Sequence, residues 1–374
     1  MNIIKHSPYH HKFAALGATF VDRLGFSAPL VFTSTEEEHL ATRNGVGLFD
    51  VYYQVAIAIT GKDAQSFVDL AVVADAANLA IGRSIYTSIC RQDGGMIDDL
   101  TCFRISSQEY WLCPTPSRVV QVMNALTMIK SNFLVSVTNL GYKNAYLSVQ
   151  GPLSRSLLSQ LTSSDLSSAV LPYFSFIEST VAGVPGALLS RTGYSGELGF
   201  ELFYPVEYAE HLWESVFKAG LNFGVKPCGL GALRTLRLEK KYLLYGLDAD
   251  EKTTPLEAGL GWTLKNKKSQ FIGKEALERQ LKEGVKKRSV LLQFEGLNFV
   301  PEIGANIFSN GKVIGVVTSA EKGYSVGSSL ALGYVDTIHA THGEELMVTG
   351  ANGLKAAKIH LRSIYDPDGI RVHA

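Results

Sequence analysis

The stretch S-R-T-G-Y-S-G-E-L-G-F-E-L-F-Y at 190–204 constrains the fold of this chain more than any other segment. Gly193, Gly196 and Gly199 separate two extended runs, 187–191 and 200–204, and closely spaced glycines allow turns that bulkier residues resist. The pattern predicts a β-hairpin with a glycine-permitted loop. Alternation along the second run places Phe200, Leu202 and Tyr204 on one face and Glu201 with Phe203 on the other. Whichever face is inward, Glu201 stands among large apolar neighbours, and a carboxylate held there is costly unless donors reach it. A bound ligand is one such donor. The alternative is a solvated hairpin carrying an ordinary surface glutamate.

At 374 residues the chain is long enough for two or three domains and a substantial core. Lysine plus arginine and aspartate plus glutamate balance at 35 each, so no overall field favours nucleic acid or an anionic membrane. Partners must be sought at a site. The first thirteen residues carry His6, His10 and His11 instead of an unbroken apolar run, and no apolar stretch of about eighteen residues occurs, so the expected location is cytoplasmic. Cys90, Cys102, Cys113 and Cys228 lack metal-ligand or disulfide spacing and are expected as buried thiols.

Along the chain, 36–48 has the pattern of a helix with an acidic first turn, and Phe49, Asp50 and Val51 enter a strand. Residues 55–60 predict a strand, 62–70 a helix, and 85–90, 96–105 and 110–113 a run of short strands turned at Gly94-Gly95. A helix over 117–128 and a strand over 133–138 complete a mixed unit. Strand 145–149 follows, then a helix started by Gly151-Pro152, the 190–204 hairpin, and helices over 206–220 and 229–241. Residues 265–287 are rich in lysine and glutamate and predict a charged connector with a helix. Beyond Ser289, turn signals at Asn310-Gly311, Gly323 and Asn352-Gly353 predict a small all-β barrel or sandwich.

Two further stretches carry candidate chemistry. In G-G-M-I-D-D-L-T-C-F at 94–103, a strand turns Asp99 with Ile97, Thr101 and Phe103 to one side and Asp98 with Leu100, Cys102 and Arg104 to the other. One acid must point toward a mostly apolar side, as a salt bridge, a turn cap or a site carboxylate. In G-L-G-A-L-R-T-L-R-L-E-K-K-Y at 229–242, Arg234, Arg237 and Lys241 share a helical face, either solvated or able to receive a ligand carboxylate. No glycine-rich phosphate loop, no H-E-x-x-H and no G-x-S-x-G occurs, leaving nucleotide-binding, zinc-peptidase and serine-hydrolase readings without a starting point.

Several ordered motifs together make the chain resemble the aminomethyltransferase, or glycine cleavage T-protein, family over nearly its whole length. They are L-G-A-T-F-V-D at 16–22, E-E-H-L-A-T-R at 37–43, L-F-D-V at 48–51, G-G-M-I-D-D-L at 94–100, and V-Q-G-P at 149–152. S-R-T-G-Y-S-G-E-L-G-F-E-L at 190–202, R-L-E-K-K-Y-L-L-Y-G at 237–246, P-L-E-A-G-L-G-W at 255–262 and F-I-G-K-E-A-L at 271–277 continue the series. The resemblance implies an α+β, three-domain cloverleaf around a central opening that holds tetrahydrofolate, with a C-terminal all-β barrel. In this division, residues 1–264 form the folate-binding region in two α+β lobes, 1–50 with 140–264, and 51–139. A connector over 265–287 and the barrel over 288–374 follow.

By the same resemblance Asp99 is catalytic and lies by the reactive nitrogens of the folate, Glu201 binds the pterin edge, and Tyr194 and Tyr86 line the site. Arg234 and Arg237 are further candidates for binding the cofactor. A pterin's adjacent N–H donors suit bidentate acceptance by a carboxylate, and Asp99 is suited to stabilise positive charge developing during transfer. Three departures from the family pattern fall at cavity positions. Tyr52, Tyr53 and Gln54 stand where most members have Ser-His-Met, Leu233 replaces a folate-contacting arginine, and Pro114-Thr115-Pro116-Ser117 replaces Asn-Ala-x-Asn. Arg234 should point about 100° away from Leu233 around the helix. The expected function is tetrahydrofolate-dependent one-carbon transfer from a lipoylated carrier protein, without nucleic acid, membrane or metal. A demethylase acting on a small S-, N- or O-methylated donor, held by Tyr52 and Tyr53, is the alternative, and a non-catalytic folate-binding protein is a third.

Overall fold

The structure, a computed structural model, describes residues 4–141, 143–264 and 268–374. The hairpin forms where the glycines predict it, between Val184–Ser190 and Gly199–Pro205, with Leu189 opposite Leu202 and Ser190 opposite Glu201. It lies inside a six-stranded sheet that runs Phe176–Val181, Val184–Ser190, Gly199–Pro205, Asn144–Gln150, Val46–Asp50, Val225–Cys228. Phe200, Leu202 and Tyr204 enter a core with Leu48, Leu147 and Trp213, under the helix Ala209–Gly220. Burying each such side chain contributes about 1.5–3 kcal/mol. Phe203 emerges on the other face, against Phe49, Phe103 and Tyr146. Close approach fixes two of the loop glycines: a Cβ on Gly193 or Gly199 would come 2.0 or 2.1 Å from the buried amide oxygen of Gln150. Gly196, at φ +80, is the one that needs the left-handed region.

A five-stranded sheet runs Ser84–Cys90, Met96–Ser106, Glu109–Pro114, Ile57–Thr60, Ser136–Asn139. Leu100, Cys102, Leu112, Ile57 and Ile59 turn to its apolar side, which the helices Ala64–Ala71 and Val119–Ile129 cover. Asp98 shares that side, and Asp99 faces the other way with Thr101 and Phe103, as the period of two requires.

Three elements depart from the sequence-based expectation. The helix expected over 36–48 ends at Asn44, because 46–50 pairs with Val225–Cys228 on one side and Asn144–Gln150 on the other. Two ladders and full burial of those five residues override a helical pattern. The helix expected after Pro152 is only Ser154–Leu158, and the strand expected over 133–138 is Ser136–Asn139. The basic stripe Arg234, Arg237, Lys241 does not lie on one helix, since the helix Leu230–Glu239 closes before Lys241, at φ +58.

The C-terminal strands close a six-stranded barrel, which decides between barrel and sandwich. Asn310 and Gly311, at φ +48 and +75, make the tight turn between Asn306–Ser309 and Lys312–Gly323. The charged helix of the 265–287 segment is Lys274–Glu283, and 265–267 lie outside the described residues.

A buried charge network ties the chain end back to the first lobe. The Arg43 guanidinium donates to Glu239 at 2.7 Å and to Glu197 at 3.1 Å, and stacks 3.7 Å from the centre of the Tyr365 ring. Glu197 also accepts from the Tyr365 hydroxyl and, at 2.9 Å, from Arg371. Removing the central cation leaves buried carboxylates short of a partner, which typically costs about 3–5 kcal/mol. Arg43→Met is therefore expected to lose stability on that order, read as a drop in the urea midpoint. A drop below about 1 kcal/mol would show that water satisfies these acids instead.

Candidate active site

Both sheets, the helix Leu230–Glu239 and the 242–262 loop wall a single cavity of about 550 Å³, enough for a ligand of drug size. Asp99 enters it from the strand Met96–Ser106. Tyr86, on the neighbouring strand, donates its hydroxyl to Asp99 Oδ2 at 2.5 Å, while Asp99 Oδ1 is buried with no partner among the described residues. Burial raises the Asp99 carboxyl to about 6. The Tyr86 hydrogen bond works against that rise and the charge of Asp248 adds to it. Behind it Asp98, fully buried, accepts from the Thr115 backbone N–H at 2.7 Å and leaves Oδ1 unpartnered. Burial first, then the charge of Asp99, pushes Asp98 well above the usual carboxylate range. The 114–117 segment thus has a structural reason: its backbone supplies the donor that Asp98 requires.

Glu201 enters from the opposite wall, half-buried, and accepts one hydrogen bond, from Thr192 at 2.6 Å. Its carboxyl is raised by burial, against which the Thr192 bond acts. Tyr194 lines the cavity between these elements, its hydroxyl tied to the Leu243 carbonyl and its ring stacked on Tyr242 at 5.8 Å. Asp99, Glu201, Tyr194 and Tyr86 therefore meet in one space. The chemistry of that space is acceptor-rich: two carboxylates that together receive two side-chain donors can take more from a ligand.

The cationic candidates divide. Arg237 borders the cavity but is only 2% exposed, and its guanidinium serves Asp248 at 2.6 Å, the Tyr242 carbonyl and Ser319. It is not part of a solvated face. Arg234 is exposed at the cavity, as is its neighbour Leu233 in part, so both side chains reach the opening despite the turn of the helix between them. Tyr53 and Gln54 line the cavity; Tyr52 instead packs on the core of the six-stranded sheet, its ring 6.2 Å from Phe26. Cys113 borders the cavity with its thiol pushed up by burial, and all four cysteines are free. No group of three or more metal-ligating side chains occurs among the described residues.

Sequence reasoning passed over Thr192, Trp262 and Arg23. Thr192 sits one residue before Gly193 in the very motif singled out, and its signal was the hydroxyl two positions from Ser190. Trp262, 63% exposed, stacks on Tyr86 at 5.9 Å and so touches the group that holds Asp99. Its position ends the P-L-E-A-G-L-G-W motif. Arg23 reaches the cavity from the end of the strand Thr19–Arg23, and no local pattern marks it; Lys241, singled out with Arg234 and Arg237, reaches it from the turn after the helix Leu230–Glu239.

The family model for the GCVT N-terminal domain matches residues 9–268, and that for the glycine cleavage T-protein C-terminal barrel domain matches 287–366. An aminomethyltransferase of Halothermothrix orenii is 39% identical over 93% of this chain and 96% of its own. One of Streptomyces avermitilis is 40% identical over 91% and 92%. The crystal structure of the glycine cleavage system aminomethyltransferase T from Bartonella henselae superposes with a TM-score of 0.87 at 30% identity, covering 96% of this chain and 97% of that one. Fold and cavity define an α+β cloverleaf transferase with a C-terminal barrel. The chain belongs to the glycine cleavage T-protein family, and it is a one-carbon transferase of the aminomethyltransferase type. No described helix is long and apolar enough to cross a membrane.

The Asp99 environment has a measurable consequence. Its folded-state carboxyl lies near 6, above the ordinary value of 3.8, so the folded chain holds this proton more tightly than the unfolded one. Its contribution to stability is then present below pH 4 and lost as pH rises through 6. Asp99→Asn is expected to unfold at higher urea than the wild type at pH 7.5, by up to about 3 kcal/mol, with the difference gone at pH 3.5. A variant less stable than the wild type at pH 7.5 would contradict this electrostatic account.

Proposed function

We propose that the cavity binds tetrahydrofolate and that the protein passes a methylene from an aminomethyl group on a lipoylated carrier protein to it, with release of ammonia. The observation that supports this most is the buried Asp99 Oδ1 without a donor, in the same 550 Å³ space as Glu201. A reduced pterin offers a row of ring N–H and amino donors, and two separated carboxylates are the acceptors such an edge needs. The residues present therefore fit the group. Reduced folate would supply the nucleophilic nitrogens that accept the carbon unit.

The chain's own residues would do the rest. Glu201, oriented by Thr192, would fix the pterin edge, and Tyr194 would border it. Asp99, oriented by Tyr86, would hold the reacting end and stabilise positive charge that develops there; a carboxylate in a site shielded from water does this better than solvent. With its carboxyl near 6, Asp99 is mostly ionised above neutrality and remains close enough to the working pH to hold or release a proton. Arg234 stands as a binding residue; Arg237 would serve by keeping the wall in place through Asp248. We assign the folate-binding region to 1–264, with lobes at 1–50 plus 140–264 and at 51–139, the connector to 265–287 and the barrel to 288–374. The first barrel strand, Lys287–Gln293, begins one residue before the last of those boundaries.

A second reading, methyl transfer from a small methylated donor, draws on Tyr53 and Gln54 at the cavity wall. The aromatic pair invoked for it is not available, since Tyr52 faces the core.

Purified protein supplied with lipoylated carrier protein, ammonia and methylene-tetrahydrofolate should turn over. Asp99→Asn should lower kcat on the order of a hundredfold, equivalent to about 3 kcal/mol of transition-state stabilisation. Absence of turnover, together with formation of methyl-tetrahydrofolate from a methylated donor, would replace the first reading with the second.

A further inference from the structure

The cations around the cavity differ in whether their donors are spent. Arg237 is committed to Asp248, Tyr242 and Ser319, and Lys240 donates to Asp366 at 2.7 and 3.0 Å. Arg23 and Arg234 also line the cavity, and neither has a hydrogen-bond or ion-pair partner among the described residues. The Arg23 Nε is buried without an acceptor. Neither guanidinium pairs with Asp99 or Glu201, although all four side chains border one space.

The backbone explains why both arginines point where they do. Arg23 is the last residue of the strand Thr19–Arg23, pinned opposite Phe26 across a Leu24-Gly25 turn with φ of +57 and +80. Arg234 projects from the exposed side of the helix Leu230–Glu239. Both lie within electrostatic reach of Tyr53, whose hydroxyl burial pushes up to about 12 while the two guanidiniums pull it down. Glu321 lies within reach of Arg234 and Arg237, and burial raises its carboxyl too.

A guanidinium presents five N–H donors in a fork that matches a carboxylate bidentately, and a donor buried without an acceptor is costly. Two such groups in one cavity also repel each other. An incoming anion would give the buried Arg23 Nε its acceptor and pair with the exposed Arg234, which Glu321 reaches only electrostatically, whereas Asp99 and Glu201 could serve only by giving up the cavity's acceptor wall. We propose that Arg23 and Arg234, beside Tyr53, form a carboxylate-binding subsite of this cavity, so that a productive ligand brings an anionic group as well as a donor edge. The carboxylate has two possible sources, the glutamyl end of a folate or the carboxylate of a small amino-acid-like carbon donor. The first source rests on the reading of the cavity as a reduced-pterin site; the subsite itself does not.

Calorimetry of the wild type, Arg23→Gln and Arg234→Gln with tetrahydrofolate, with 6-methyltetrahydropterin, which carries no carboxylate, and with N-methylglycine separates these outcomes. Each glutamine variant should weaken a carboxylate-bearing probe about tenfold or more, as loss of a charge-assisted hydrogen bond does, and leave 6-methyltetrahydropterin unchanged. Arg→Lys at either position should restore part of the loss. Weakened tetrahydrofolate identifies the glutamyl end, and weakened N-methylglycine identifies the donor. Variants that bind every probe as the wild type does, or that unfold several degrees earlier than it, would overturn the subsite. Wild-type protein that binds neither pterin would overturn the pterin reading, and the N-methylglycine measurement would still decide the subsite.

Discussion

Taking a carboxylate out of water costs several kcal/mol unless donors replace the lost solvent, and the cavity walls give Asp99 and Glu201 one side-chain donor each, from Tyr86 and from Thr192. The rest of the arrangement depends on that shortfall. It raises both carboxyls and leaves acceptors turned toward empty volume. Two rigid sheets hold them there: Asp99 lies opposite Ser88 of the strand Ser84–Cys90, one residue before the pairing with Glu109–Pro114 begins at Leu100, and Glu201 has ladder partners on both sides, Ser190 and Ser148. Neither can retreat to solvent without breaking a ladder.

The contrast with the charges elsewhere is instructive. Arg43, Glu239, Glu197 and Arg371 are just as deeply placed at their centre, yet they are bonded to one another, to backbone and to hydroxyls. The network ties residues 365 and 371 near the chain end to the helix Thr35–Asn44, and its members have no capacity to spare. Arg237 with Asp248, and Lys240 with Asp366, are of the same kind. Where buried charges are matched inside the chain they fix the architecture. Asp99, Glu201, Arg23 and Arg234 are left under-matched in one cavity, and that is the pattern of a site awaiting a polar ligand.

Much of the hairpin and of the carboxylate placement was legible because the β period is short and local. Glu201 with Phe203, and Asp99 opposite in sense to Asp98, follow from alternation alone, and the Asn310-Gly311 turn follows from its residues. The 46–50 strand was partly concealed, since its helix-like approach is corrected only by ladders to residues 144–150 and 225–228, nearly a hundred and nearly two hundred positions away. Tyr52 and Tyr53 look equivalent in sequence, and only packing sends one to the core and the other to the cavity.

By itself, then, the sequence determined the order of strands and helices, the family motifs and the two acids, because these rest on local period, turn chemistry and residue identity. The tertiary structure decided which cations are free. Arg237 and Arg234 are three residues apart and chemically alike, but Asp248 and Ser319 happen to face only the first. That choice depends on partners distant in the chain, whose approach is set by how lobes and barrel pack, and no local pattern encodes it.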